Sequence, residues 1–273
     1  MAESAPGNRL AQILARKRKE NARRERFAHM YRAPLHENAA LRISDAVARL
    51  RRRKGDPPHI IAELKFRSPS AGVFRPRKAG DVVAIAKAYA RGGASAVSVL
   101  ADGPGFGGSP LNVRRVATSI EAPVLFKEFV LGETQLDLAA SMGARYVLLI
   151  VRALEVSLLQ ELVDACAARG LAPVVEAASP DELDVAIDTG AAIVGFNARD
   201  LTTFDVDPGA AARAVDRIPA ERVAIYMSGI RTQSDFARVA AGRADAALIG
   251  EGLMRQGDPE TTLKTWRGAL DTP

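Results

Sequence analysis

From residue 57 onward the chain alternates short, nearly unbroken apolar runs with longer stretches in which apolar residues recur at helical spacing. The runs cover residues 59–64, 96–100, 123–126, 146–151, 172–175, 192–196, 223–227 and 246–250. Continuous apolar runs, as opposed to alternating ones, mark strands buried on both faces, as parallel strands are. Helical patterns lie between them, at 81–91, 133–142, 155–169, 181–189 and 232–241, and several are followed by glycine (Gly92, Gly143, Gly170, Gly190 and Gly242). Glycine just past a helix accepts the left-handed conformation that closes it. The order helix, glycine, apolar run is that of repeated βα units. Eight such strands in one domain of this size favour closure over an open sheet, so the expected fold is a TIM (β/α)8 barrel spanning 56–273.

Residues 1–55 read differently. They hold 15 Lys+Arg against five acids, while the rest of the chain carries 23 against 27, so the formal charge of +6 is concentrated at one end. Leu10, Ile13 and Leu14 recur at helical spacing, and no aromatic residues interleave with the cations as an RNA-binding surface would require. The expected reading is a basic helical extension that packs on the barrel and turns its arginines to water, with no nucleic acid partner. No apolar run reaches the 18 residues of a membrane span, and no secretory signal is expected. A single cysteine, Cys166, excludes an internal disulfide, and His29, His36 and His59 form no cluster at metal-ligand spacing. These features point to a reduced, cytoplasmic, metal-free protein and leave its oligomeric state, monomer or homodimer, open. The glycine-rich stretch 103–108 reads as a flexible loop after the second strand and not as a nucleotide-binding fingerprint.

In such a barrel, chemistry sits at the C-terminal strand ends. There the sequence places Glu63 and Lys65, Lys127 and Glu128, Glu176, Asn197 and Arg199, Ser228-Gly229, and Gly250-Glu251. Glu63 and Lys65 are two apart and therefore share a face of the strand. One charge after one strand is what any wet loop supplies; charged or amide groups after four strands point to a site. The glycine turns after the seventh and eighth strands match the position where this fold grips phosphate through backbone N–H groups. A small phosphorylated substrate is the expected partner.

Residues 61–72 (IAELKFRSPSAG), 126–129 (FKEF), 174–176 (VVE), 195–201 (GFNARDL), 228–230 (SGI) and 248–254 (LIGEGLM) resemble, in order, the indole-3-glycerol-phosphate synthase family of tryptophan biosynthesis. The resemblance implies a cofactor-free ring closure. In that reaction an anthranilate amino-linked to a deoxyribulose 5-phosphate closes on its own ketone and loses carbon dioxide and then water. It also implies roles. Lys127 would protonate the ketone oxygen with Glu176 as its partner, and Glu63 and Lys65 would assist dehydration. Asn197 and Ser228 would orient groups, and Arg199 would lie near the substrate carboxylate. Lys65 would also lie close to substrate anions, Gly229 and Gly250 would offer N–H groups to the phosphate, Ser68 and Glu251 would also contact the substrate, and Phe106, Phe129, Leu148, Leu201 and Ile249 would wall the ring slot.

The chain departs from the family pattern at two places. Met227 stands where a glutamate precedes Ser-Gly, and Ala101-Asp102 replaces Thr-Glu after the second strand. Methionine cannot take a proton or pair with a lysine. The departures leave open a working synthase with a redistributed proton network, a paralogue with an altered substrate, or a non-catalytic phosphate-binding barrel. The isomerase that acts on phosphoribosyl anthranilate is disfavoured, because its Cys and Asp positions read Lys65 and Asn197 here.

Overall fold

The computed structural model describes residues 9–30, 38–69, 72–200 and 205–268. Eight parallel strands close into a barrel: β1 (His59–Leu64), β2 (Ala96–Leu100), β3 (Val124–Lys127), β4 (Tyr146–Ile150), β5 (Ala172–Ala177), β6 (Ile193–Asn197), β7 (Val223–Met227) and β8 (Ala246–Ile249). Each strand pairs with its neighbour in sequence, and β8 returns to β1 through His59↔Ala246 and Ile61↔Leu248. All eight expected strands are present, with ends within two residues of the apolar runs. Residues on both sides of the pleat are buried because the barrel has two cores. Side chains such as Ile61, Leu125, Tyr146, Val174, Ile193 and Ile225 fill the interior. Their alternates, such as Ile60, Val97, Phe126, Val147 and Val194, pack outward beneath the helices.

Among the described residues two α-helices precede the barrel, α1 (Arg9–Glu25) and α2 (Ala39–Leu50). α2 lies across the N-terminal end: Leu50 is fully buried, and Tyr146 at the start of β4 donates its hydroxyl to Ala46 O at 2.8 Å. The arginine cluster that follows satisfies backbone carbonyls. Arg51 donates to Ala220 O, Glu221 O and Arg222 O, and Arg52 to Ala240 O, Gly242 O and Ala244 O. α1 lies instead at the rim of the C-terminal end.

Three sequence expectations need correction. The basic extension does not turn all its cations to water: Lys17 is 1% exposed and Arg16 bonds Asp102. Residues 103–108 are not simply a loop, since Gly103–Phe106 forms one helical turn whose Gly105 N–H is capped by the Asp102 carboxylate at 2.8 Å. Among the helix-closing glycines, Gly143, Gly170 and Gly190 are left-handed, but Gly93 takes that role in place of Gly92, and Gly242 is not left-handed.

Candidate active site

The inward side chains at the last turn of the strands converge on one cavity at the C-terminal mouth, lined among others by Glu63, Lys65, Lys127, Glu176, Asn197 and Arg199. The β-strand alternation that buries Val174 inward also delivers Glu176 two residues later, and the same parity on β6 delivers Asn197 after Ile193 and Gly195.

The polar groups form two ammonium–carboxylate pairs. Lys127 Nζ donates to Glu176 Oε2 at 2.8 Å. The other oxygen of Glu176 accepts from Asn197 Nδ2 at 3.0 Å, and Asn197 Oδ1 accepts from the Arg199 backbone N–H at 3.0 Å. Glu176 is 2% exposed, so both of its oxygens are fixed in a dry setting. Across the mouth, Lys65 Nζ lies 2.7 Å from Glu63 Oε1. Burial alone would raise the Glu63 carboxyl, but Lys65 and then Lys127 outweigh it and hold the group below its ordinary range. Glu63 thus stays ionised beside two cations.

Gly250 has a second task that sequence reasoning missed. A Cβ at this position would stand 2.5 Å from Glu63 Oε1 and 3.3 Å from Lys65 Cε. The bare backbone of Gly250 is therefore the socket of the Glu63–Lys65 pair. After β7, Ser228 (φ 68°) and Gly229 (φ 77°) are both left-handed, and Ser228 is the only non-glycine in that region among the described residues. For Ser228 this conformation costs about 1–2 kcal/mol, and such strain concentrates at functional sites. The carboxylate of Glu251 is bracketed by Arg255 at 3.0 Å and Arg231 at 3.7 Å, which offsets its charge near an anion.

Apolar walls complete the cavity. Phe106 and Phe129 face each other with ring centroids 6.2 Å apart, and Leu148, Ile150 and Leu248 line the floor. Ile249 is not part of the wall; it lies in the outer core beneath the helices, and its neighbour Leu248 faces the cavity. Leu201 lies outside the described residues. Ser68 lines the cavity from the first βα loop, as does Phe74, whose ring is flanked by the Lys65 ammonium at 5.7 Å and the Arg255 guanidinium at 5.1 Å.

Met227 lines the same cavity and is 1% exposed. Its side chain bends over Gly195 on β6, where a Cβ would lie 2.2 Å from the methionine methyl. The methionine therefore fills its site as an apolar plug.

The indole-3-glycerol phosphate synthase family model matches residues 10–266. The chain is 39% identical over 251 residues to indole-3-glycerol phosphate synthase 1 of Streptomyces coelicolor, covering 91% of each. It is 39% identical over 227 residues to the indole-3-glycerol phosphate synthase of Micrococcus luteus, covering 82% of this chain and 84% of that one. Among solved structures it resembles KGPDC from Streptococcus mutans, with a TM-score of 0.60 at 11% identity over 79% of this chain and 98% of that one. At that identity the likeness bears on fold alone.

Proposed function

Because the chain belongs to the indole-3-glycerol phosphate synthase family, we propose that Lys127 and Glu176 are the proton-transfer pair of its ring closure, with Glu63 and Lys65 as the dehydration pair. The enzyme is a carboxy-lyase of tryptophan biosynthesis. It converts 1-(2-carboxyphenylamino)-1-deoxyribulose 5-phosphate to indole-3-glycerol phosphate.

The observation that carries the assignment is the 2.8 Å contact between Lys127 and a Glu176 carboxylate whose second oxygen is held by Asn197. In ring closure the aromatic carbon bearing the carboxylate attacks the ketone carbon, and negative charge develops on the ketone oxygen. An ammonium in a water-poor site stabilises that charge far more than bulk solvent would. Lys127 gives its proton to the oxygen, and the new carbon–carbon bond and the carboxylate then share one ring carbon. Loss of carbon dioxide returns the electron pair to the ring. The hydroxyl formed from the ketone leaves as water, protonated from Lys65, while a carboxylate takes the proton that completes the pyrrole. Glu63, ionised beside Lys65, fits that last role.

Ser228 and Asn197 orient the substrate by hydrogen bonds, and Arg199 receives its carboxylate. Ser68, Gly229, Gly250 and Glu251 surround the phosphate end, and Phe106, Phe129 and Leu148 hold the ring. Ile249, in the outer core, contributes nothing to this reading. The reaction belongs in the cytoplasm, carried out by a monomer or homodimer.

Lys127→Ala tests the assignment. Turnover should fall by roughly 10²–10⁴ with little change in KM, because the acid acts as the ketone becomes an alkoxide. More than a tenth of wild-type turnover in that variant removes Lys127 from the role of acid.

A further inference from the structure

α1 carries a lysine that the ring-closure chemistry does not use. Lys17 is 1% exposed, and its ammonium lies 2.9 Å from each of Glu20, Asp102 and Glu128. Arg16 adds a contact to Asp102 at 2.5 Å. One turn further along the helix, Asn21 Nδ2 donates to Gln135 Oε1 at 2.5 Å.

The partners on the barrel side hold the two aromatic walls. Phe129 follows Lys127, and both of its backbone polar groups are bound by side chains that α1 grips. Its N–H donates to Glu128 Oε1 at 2.8 Å, and its C=O accepts from Gln135 Nε2 at 2.8 Å. Gln135 also accepts from the Leu131 N–H at 2.7 Å. Phe106 rides on the single helical turn Gly103–Phe106, which Asp102 caps with one oxygen while its other oxygen takes Lys17 and Arg16. Asp102 belongs to one of the two departures from the family pattern. The loops after β2 and β3 thus meet at one buried ammonium, and the rings they carry pack beside each other in the cavity wall, tilted by 38° with centroids 6.2 Å apart.

We propose that Lys17 is a positioning residue that fixes the separation of Phe106 and Phe129 and so sets affinity for the aryl part of the substrate. The proposal rests on those two rings being the ring slot. Without the Lys17 ammonium, Asp102 and Glu128 face each other with no shared cation between them. Burial already pushes the Glu128 carboxyl up despite Lys17, whereas Asp102 is held down, against its burial, by Lys17, Gly105 N–H and Arg16. The two loops then lose the contact that draws them together, and the two rings no longer keep the spacing at which they form one wall. The phosphate end draws Gly229, Gly250 and Glu251 from the loops after β7 and β8, whereas this network holds the loops after β2 and β3.

The test measures competitive inhibition of the full chain by two probes, N-methylanthranilate for the aryl end and inorganic phosphate for the other. Lys17→Met and the near-isosteric Glu128→Gln should each weaken N-methylanthranilate by roughly tenfold or more, as misplacement of a binding wall does. Inorganic phosphate should stay within about twofold, and substrate KM should rise more than kcat falls. Glu128→Gln carries the test alone if Lys17→Met does not fold. Equal weakening of both probes, or no change in either, overturns the proposal. Phe129→Ala separates the layers. If it leaves N-methylanthranilate binding intact, the slot reading itself fails and the proposal with it. If it weakens that binding while the Lys17 and Glu128 variants do not, the slot stands and the positioning role falls.

Discussion

Met227→Glu puts a carboxylate where the family pattern has one and this chain has none. Both lysines of the mouth are already engaged, Lys127 with Glu176 at 2.8 Å and Lys65 with Glu63 at 2.7 Å. The methionine is 1% exposed, its methyl is packed over Gly195, and it shares the barrel interior with Ile225 and Leu248. A new carboxylate there has two options. It can remain without a donor, at a cost of roughly 1–3 kcal/mol for an unsatisfied buried polar group. Alternatively it can draw Lys127 from Glu176, which leaves Glu176, 2% exposed, with only the Asn197 amide. Either way one buried carboxylate lacks a cation. At ~2–4 °C per kcal/mol for a domain of this size, Tm should fall by roughly 2–12 °C. Turnover should fall with it, since Lys127 is diverted or its partner displaced. Calorimetry and indole fluorescence read the two quantities, and Met227→Gln separates polarity from charge. A variant as stable as the parent that closes the ring faster would refute the reasoning, because it would mean that the two-pair network is short of a carboxylate.

Gly250→Ala should lower kcat as well as raise KM, since its Cβ would press on Glu63 Oε1 at 2.5 Å and on the Lys65 side chain; steady-state kinetics that show a KM effect alone would contradict the socket. Gly229→Ala combines a left-handed φ of 77° with a contact of 2.9 Å to Val206, and should raise KM for the phosphorylated substrate while circular dichroism stays unchanged. Lys65 is the nearest cation holding Glu63 below its ordinary value of 4.5, so the wild-type pair stabilises the fold at neutral pH and is lost only as pH falls below that range. In Lys65→Met the burial remains and the cation is gone, so stability should begin to fall at a higher pH than in the wild type, as acid titration followed by circular dichroism would read. Thr232→Ala removes the capping box of the helix Gln233–Ala240 and should cost about 1 kcal/mol in a denaturant titration without altering KM.

The barrel was legible because its strands are buried on both faces and leave unbroken apolar runs, as at 146–151 and 223–227. The charged strand ends were legible for the same reason, since Glu176 and Lys127 interrupt or close runs that are otherwise apolar. Ile249 was misplaced although strand parity could have found the error: Leu248 and Gly250 share a face, and Ile249 takes the other. Lys17 left no signal, because a lysine in a helix rich in cations reads as solvated until its partners, 85 and 111 residues away in the chain, are brought to it by the fold. Asp102 was seen only as a departure in sequence; that it caps a one-turn helix and meets Lys17 depends on tertiary placement. Gly250 read as a phosphate turn because nothing local reveals that Glu63 occupies the space where its side chain would be.

The central claim is that the barrel mouth, with Met227 in place of a carboxylate, closes the indole ring using Lys127 as the acid. The most direct measurement mixes the purified wild-type protein and its Lys127→Ala variant, separately, with 1-(2-carboxyphenylamino)-1-deoxyribulose 5-phosphate and follows indole fluorescence. The wild type should give multiple turnovers, and the variant a rate lower by roughly 10²–10⁴. No indole from the wild type, or equal rates from both proteins, would contradict that claim.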